Sequence, residues 1–422
     1  MMPTSLKRKA VPRSASQSKT PGRETVRPDV RLLDAEKYLD FLGGIAVNAL
    51  GHAHPRVVKV IRREAARAIH LSNLYHHAHQ GPLARKLVDW SGLDRVFFTN
   101  SGTEAIDGAM KLARLMARKP EDAPGTAAKK HRFLALENSF HGRTFGAISV
   151  TSSEKYRLPF APVVPGAEFI RFNDVADLES KFDGTVCAIL LETIQGEGGV
   201  YSVSEAFWNR ARALATQHGA LLIADEIQCG LGRTGRYFAY QKFPSKPDIA
   251  LIAKPLAAGL PLGAILTSEA VASRVSPGMH GTTFGGGPLA CAAALEFLET
   301  VESEKLLKNI RARGAELREG LVKLAARFDF IREIRGEGLM IGVELSREGA
   351  PFVAEAMQHG LLINCTHDFT LRLLPPFIIN RAQVREFLGL FELILATTPQ
   401  QASASDSGNT AGPARVAHAA AR

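Results

Sequence analysis

Ile249-Ala250-Leu251-Ile252-Ala253-Lys254-Pro255-Leu256-Ala257-Ala258-Gly259 runs from an unbroken apolar stretch into a lysine and then into small residues and breakers. Consecutive apolar positions predict a strand buried on both faces, as in a parallel sheet covered by helices. A lysine at the mouth of such a strand is unusual, because burying an unpaired ammonium is costly. A side chain snorkelling to the surface accounts for it in isolation. The chemical alternative is that a partly desolvated lysine loses its proton readily and forms a Schiff base. A second apolar run, Ala220-Leu221-Leu222-Ile223-Ala224, ends in the same way on Asp225. An amine for an aldehyde and an anion for a pyridinium nitrogen are what pyridoxal phosphate asks of a protein.

Working outward, apolar runs alternate with helical stretches. Strands are expected at Val96–Thr99, Arg132–Glu137, Val186–Glu192, Ala220–Asp225, Ile249–Ala253 and Gly263–Thr267. Helices are expected at Glu104–Arg118, Glu205–His218 and Leu289–Glu302. This alternation predicts an α/β fold, a large and mostly parallel sheet domain with helices on both faces. A smaller α+β domain follows, with a charged helix near 304–328, strands near 331–335 and 339–345, an extended stretch at 371–378 and a last helix near 381–395. Residues 29–70 are expected to pack with the small domain, 71–290 to form the large one and 291–397 the small one. There are no repeats.

The chain has 422 residues, enough for two packed units. No apolar stretch approaches the ~18 residues of a membrane span. Cys187, Cys229, Cys291 and Cys365 lie far apart without Cys-x-x-Cys spacing, and read as reduced thiols in a cytoplasmic protein. The formal charge of +10 hints at nucleic acid, but residues 1–28 carry +6 of it. That basic arm and the tail 398–422 lack apolar periodicity and read as disordered. The arm has no apolar core of a secretory signal. A transit peptide, a solubilising arm and a weak nucleic-acid-binding arm stay open for it. His52, His54, His76, His77 and His79 lack metal-site spacing, so no metal is expected.

Several other segments carry chemistry. Asn100-Ser101-Gly102-Thr103-Glu104 joins a strand to a helix, where free amides can hold a phosphate, although the same pattern serves as an ordinary helix cap. Ser139-Phe140-His141-Gly142-Arg143-Thr144 sets an aromatic ring at the carboxyl end of a strand, where α/β sheets bind ligands, and offers an arginine for a carboxylate. Glu192-Thr193-Ile194-Gln195-Gly196-Glu197-Gly198-Gly199, Asp225-Glu226-Ile227-Gln228 and His280-Gly281-Thr282-Thr283-Phe284-Gly285-Gly286-Gly287 follow, each readable alone as cap or loop.

Taken in order and closed by Arg372-Leu373-Leu374-Pro375-Pro376, these motifs resemble the class III (ω-) aminotransferases, most closely the acetylornithine aminotransferase group, from about Tyr38 to Leu395. The resemblance implies the fold type I architecture of pyridoxal-phosphate-dependent transferases and a cytoplasmic homodimer with shared active sites. It implies that Lys254 carries the cofactor and moves the substrate proton, while Asp225 keeps the pyridine nitrogen protonated. Phe140 would stack on the ring and Gln228 would stand near its 3-hydroxyl. Gly102 and Thr103 would hold the phosphate, with Thr283 from the neighbouring subunit and Thr282 beside the substrate. Arg143, Glu197 and Arg372 would handle substrates.

Geometry supports that last assignment. An ω-amine donor presents its amine far from its α-carboxylate, whereas 2-oxoglutarate has a carboxylate directly beside the reacting carbon. An arginine near the centre suits the second substrate and would lie bare against the first. Glu197 pairing with Arg372, then releasing it, avoids an unpaired buried charge.

Three departures stand out. Pro255 follows the lysine where the family has a small residue, Gly287 stands where asparagine is usual, and the stretch Leu71-Ser72-Asn73 lacks a tyrosine found in ornithine-specific relatives. The last favours an acylated donor. The expected reaction moves the ω-amino group of N-acetylornithine to 2-oxoglutarate in arginine biosynthesis, by a ping-pong cycle. Succinylornithine, succinyl-diaminopimelate, carrier-linked lysine, ornithine and 4-aminobutyrate stay open as donors. A decarboxylase or racemase reaction is weakened by the Glu197–Arg372 pair. A non-catalytic protein binding through its basic arm is the remaining alternative.

Overall fold

Alternate residues of each central strand point into different packing layers in the computed structural model, which describes residues 29–31, 37–118 and 129–398. Phe133, Ala135, Ala188, Leu190, Leu221, Ile223, Ile249 and Leu251 join one apolar cluster. Leu134, Leu136, Ile189, Leu191, Leu222, Ala224, Ala250 and Ile252 join another. Such period-two sorting is that of a sheet covered on both faces. The disorder expected of 1–28 and of most of 398–422 lies outside the described residues.

The sheet has seven strands, in the order Arg95–Thr99, Gly263–Thr267, Ile249–Ile252, Leu221–Asp225, Val186–Glu192, Arg132–Leu136, Ala167–Ile170. All are parallel except Gly263–Thr267, which runs against both neighbours. The edge strand Ala167–Ile170 went unforeseen: it is short and only Ile170 is fully buried, so no apolar run marks it.

One face is covered by the helix Gly102–Ala117, which buries Ala105, Ile106, Ala109, Met110, Leu112 and Ala113. On the other, Glu205–His218 buries Phe207, Trp208, Ala211, Leu214 and Ala215 at helical spacing. It starts where Ser204 Oγ accepts from the Phe207 amide and stops at Gly219, whose φ of 59° suits glycine.

A four-stranded antiparallel sheet, Ile331–Glu337, Met340–Leu345, Thr370–Leu373, Asn364–Thr366, packs on the helix Leu306–Ala325, which in turn packs on Arg381–Thr397. Near the other terminus, Lys37–Asp40 pairs antiparallel with Asp29–Arg31 and parallel with Leu361–Leu362. The division expected at residue 290 falls inside the helix Pro288–Ser303, which packs on both the Lys254 turn and the helix Leu306–Ala325. Among the described residues, no helix is long and apolar enough to cross a membrane.

Candidate active site

Strand register sets the chemistry. Glu192 and Asp225, the last residues of neighbouring strands, are paired in the ladder, and Lys254 follows the next strand along. Three ionisable side chains thus meet at the carboxyl ends of parallel strands, where such sheets bind ligands.

Asp225 is buried; its Oδ1 accepts from the Ile227 amide at 3.0 Å, and its Oδ2 stands 2.8 Å from Nδ1 of His141. Burial alone would lower the His141 pKa, but the hydrogen bond and charge of Asp225 outweigh it and leave the imidazole above its ordinary value. Among the described residues, His141 Nε2 is buried without a partner. Glu192 accepts from the Phe140 amide at 3.0 Å and the Gly196 amide at 3.1 Å, and burial pushes its carboxyl up to about 7.

Lys254 has a φ of 31°, a conformation that costs a residue with a Cβ about 1–2 kcal/mol. Strain of this kind is kept where a side chain must be aimed. Burial holds the ammonium below the usual lysine pKa, opposed mainly by the charge of Asp225. Pro255 causes no local disruption: it sits in the first turn of the 3₁₀ helix Lys254–Ala257, where a missing amide hydrogen is no loss.

Opposite, Ser101 caps the helix Gly102–Ala117 and Glu104 reaches back to the Asn100 amide at 2.7 Å. The amides of Gly102 and Thr103 therefore lead the helix, with its positive end behind them. Thr103 Oγ1 lies 3.2 Å from the Arg143 amide, 3.1 Å from the Thr144 amide and 2.7 Å from Thr144 Oγ1, which ties the helix start to the Phe140 loop.

A cavity of about 500 Å³ opens between these groups, lined by Gly102, Thr103, Phe140, Arg143, Asp225, Gln228 and Lys254 among others. An amine, a buried carboxylate, an aromatic ring and helix-start amides around one space fit pyridoxal phosphate.

Arg372 stands behind Gln228 and is wholly buried. Its Nη1 donates to Glu197 Oε1 at 2.7 Å and to Gln228 Oε1 at 3.2 Å, its Nε donates to Asn364 Oδ1 at 3.3 Å, and Nη2 is buried with no partner among the described residues. The pair expected from the sequence is therefore formed, with the Glu197 side chain 36% exposed. Arg143 is exposed and makes no ion pair among the described residues.

Thr282 and Thr283 do not line this cavity. Thr282 Oγ1 accepts from Asn100 Nδ2 at 3.1 Å, and Thr283 is exposed, next to Phe284 at 66% exposure. Asn73, in the stretch lacking a tyrosine, donates to the carbonyls of Thr282 and Gly285. Gly287 caps the helix Pro288–Ser303 without a side-chain bond.

The sequence does not single out His141, although it sits inside the quoted Phe140 motif, nor Glu226; Glu192 reads there as a cap or loop charge. Glu226 is in fact buried, accepting from Thr193 Oγ1 and the Ala239 and Tyr240 amides. Among the described residues, no three His, Cys, Asp or Glu gather as a metal site. His52, His77 and His79 face Asp40, the Gly286 carbonyl and Glu64.

The family model Aminotransferase class-III matches residues 23–395. An acetylornithine aminotransferase of Methanocaldococcus jannaschii is 43% identical over 354 residues, 83% of this chain and 87% of its own. That of Aquifex aeolicus is 42% identical, covering 86% and 93%. The crystal structure of the ornithine aminotransferase from Toxoplasma gondii ME49 superposes with a TM-score of 0.82 at 34% identity, covering 87% and 88%. With the lysine, carboxylate and helix-start amides in place around one cavity, the chain belongs to the class-III aminotransferases, enzymes that work with pyridoxal phosphate.

Proposed function

We propose that this enzyme moves the ω-amino group of N-acetylornithine to 2-oxoglutarate, giving N-acetylglutamate semialdehyde and glutamate. The observation that carries this reading is the Glu197–Arg372 pair at 2.7 Å, together with an Arg143 on the cavity wall that has no acid partner among the described residues. One arginine lines the cavity with no acid among the described residues, and a second lies behind Gln228 masked by Glu197, which suits two substrates that differ in a single carboxylate. Acetylornithine aminotransferases at 42–43% identity over most of both chains support an acylated donor.

Lys254 would hold the cofactor, with Asp225 under its ring nitrogen, Phe140 against its face, Gln228 at its hydroxyl edge and the Gly102 and Thr103 amides on its phosphate. When bound, pyridoxal phosphate supplies an aldehyde for the amine and a ring that accepts electrons from the substrate carbon. Lys254, held toward its neutral form by burial, would take the proton from that carbon and deliver it to the carbon on the other side of the nitrogen. Asp225, steadied by His141, keeps a proton on the ring nitrogen. Arg143 grips the distal carboxylate in both halves of the cycle. Arg372 stays on Glu197 while the donor is bound and turns to the carboxylate beside the reacting carbon of 2-oxoglutarate, so its charge is never left bare.

We read the working unit as a homodimer. Thr283 lies exposed, away from its own cavity, beside the exposed apolar residues Phe284, Met279, Leu74 and Tyr75. That supports a second copy covering this patch, Thr283 reaching the partner's phosphate and Thr282 the partner's substrate. Sedimentation of the purified protein tests the pairing, a monomer at micromolar concentration overturning it.

The visible absorption of the cofactor tests the reaction. N-acetylornithine without oxoacid is expected to bleach the yellow band and 2-oxoglutarate to restore it. Bleaching by ornithine or 4-aminobutyrate but not N-acetylornithine would move the donor, and a band untouched by any ω-amine would overturn the reading.

A further inference from the structure

Arg143 and Arg372 are held by different kinds of partner. Arg372 is fixed by hydrogen bonds to oxygens, Arg143 by aromatic faces. The Arg143 guanidinium carbon lies 3.7 Å from the centroid of the Tyr156 ring and 5.6 Å from that of Phe140. The two rings meet edge to face, their centroids 6.0 Å apart and their planes at 84°.

Tyr156 stands on the short helical turn Glu154–Arg157, and the preceding chain is pinned to the Phe140 loop. The Ser152 amide donates to the Ser139 carbonyl at 3.0 Å, and the Asn138 amide donates to Ser152 Oγ at 2.9 Å. The half-buried Tyr156 ring therefore shares one frame with Phe140.

A guanidinium binds a ring through its face and a carboxylate through its edge. Stacking thus orders a long side chain, which otherwise loses up to about 2 kcal/mol of rotamer freedom on binding, and leaves its in-plane N–H groups free. Glu197 occupies the edge of Arg372 and must leave before a substrate carboxylate enters. Tyr156 occupies only the face of Arg143 and can stay.

We propose that Tyr156 is a positioning residue that holds Arg143 ready for the distal carboxylate, making it the permanent anchor while Arg372 is the switched one. The proposal rests on the reading that Arg143 grips that carboxylate.

The test uses the cofactor-loaded enzyme and four small molecules: N-acetylornithine, 2-oxoglutarate, glutarate as an unreactive dicarboxylate, and N-acetylputrescine, which is N-acetylornithine without its carboxylate. Tyr156→Leu is expected to raise KM for N-acetylornithine and 2-oxoglutarate and Ki for glutarate, each about tenfold, with kcat within about twofold. N-acetylputrescine turnover should not change, and Tyr156→Phe, which keeps the ring, should restore the three constants. Unchanged constants in Tyr156→Leu overturn the proposal, as does an equal loss with N-acetylputrescine, which marks a merely structural role. Tyr156→Met serves as the second ringless variant should the leucine fail to fold. Arg143→Met is measured beside them: if it leaves KM for the carboxylate substrates unchanged, the grip itself is wrong and the proposal falls with it. If Arg143→Met raises KM and Tyr156→Leu does not, only the positioning role is overturned.

Discussion

His141 Nδ1 and Asp225 Oδ2 stand 2.8 Å apart, both side chains closed off from solvent, at the floor of the cavity that Lys254 enters. The carboxylate keeps the buried imidazole above its ordinary pKa of 6.5. The sign of the linkage follows: the pair's contribution to stability is complete below about pH 6.5 and is lost as pH rises through the higher folded value. The melting-temperature gap between the parent and His141→Asn should therefore be widest near pH 6 and narrow toward pH 9. Asparagine keeps one donor for Asp225, whereas His141→Ala leaves a buried carboxylate short of a partner and should lose about tenfold or more in kcat. A gap that widens with pH would show that the imidazole is neutral in the folded protein.

The φ of 31° at Lys254 yields a prediction that does not involve catalysis. Lys254→Ala and Lys254→Gly both remove the amine and should both lose at least about a thousandfold in turnover. Glycine also relieves about 1–2 kcal/mol of left-handed strain, while costing about 0.5–1 kcal/mol of chain entropy. In urea unfolding without cofactor, the glycine variant should be the more stable of the two by about 0.5–1 kcal/mol. An alanine variant that is the more stable would mean the strain is not borne by this residue.

Strand-end chemistry was legible in the sequence because it depends on one-dimensional patterns. Apolar runs end on Asp225 and Lys254, and parallel register brings run ends together. His141 was not legible as a partner of Asp225, because the two are 84 residues apart and only the sheet order, with one strand between theirs, aligns them. Tyr156 sits among charged and polar residues without an apolar pattern, so nothing local separates it from a surface ring. The pairing of Lys37–Asp40 with Leu361–Leu362 likewise depends on how the chain ends meet. The Glu197–Arg372 contact was anticipated for a different reason: the two substrates demand it chemically, whatever the fold that supplies it.

Glu197→Gln tests that demand. A neutral amide still fills the space but no longer neutralises Arg372, which already has a buried Nη2 with no partner among the described residues. Because the Glu197 side chain is 36% exposed, water screens part of the loss, so a modest effect of about tenfold is expected. Its direction is the sharper test. The half-reaction with N-acetylornithine should slow about tenfold in kcat/KM, while the half-reaction with glutamate should hold or improve, since the arginine is already free. Single-turnover absorbance of each half separates the two. Equal loss in both halves would mean that Glu197 only shapes the loop.

Gly142 precedes Arg143 and packs against Thr103 at the start of the helix Gly102–Ala117. Its φ of 129° is one that residues with a Cβ rarely adopt, and an added Cβ would overlap the Thr103 side chain, standing 2.7 Å from its Cβ. Gly142→Ala must therefore either strain its own backbone or push Thr103, whose Oγ1 is bonded to the Arg143 and Thr144 amides. A loss of about 2 kcal/mol or more in stability is expected. Because the displaced residue stands in the first turn of the helix Gly102–Ala117, affinity for pyridoxal phosphate should also fall, by about tenfold. Thr103→Ala removes part of the overlap but not the backbone strain, so the double variant should recover only part of the stability and none of the Thr103 hydrogen bonds. Equilibrium dialysis of the cofactor against thermal melting distinguishes the two effects. Full recovery in the double variant would place the whole cost in the Thr103 contact and none in the backbone of Gly142.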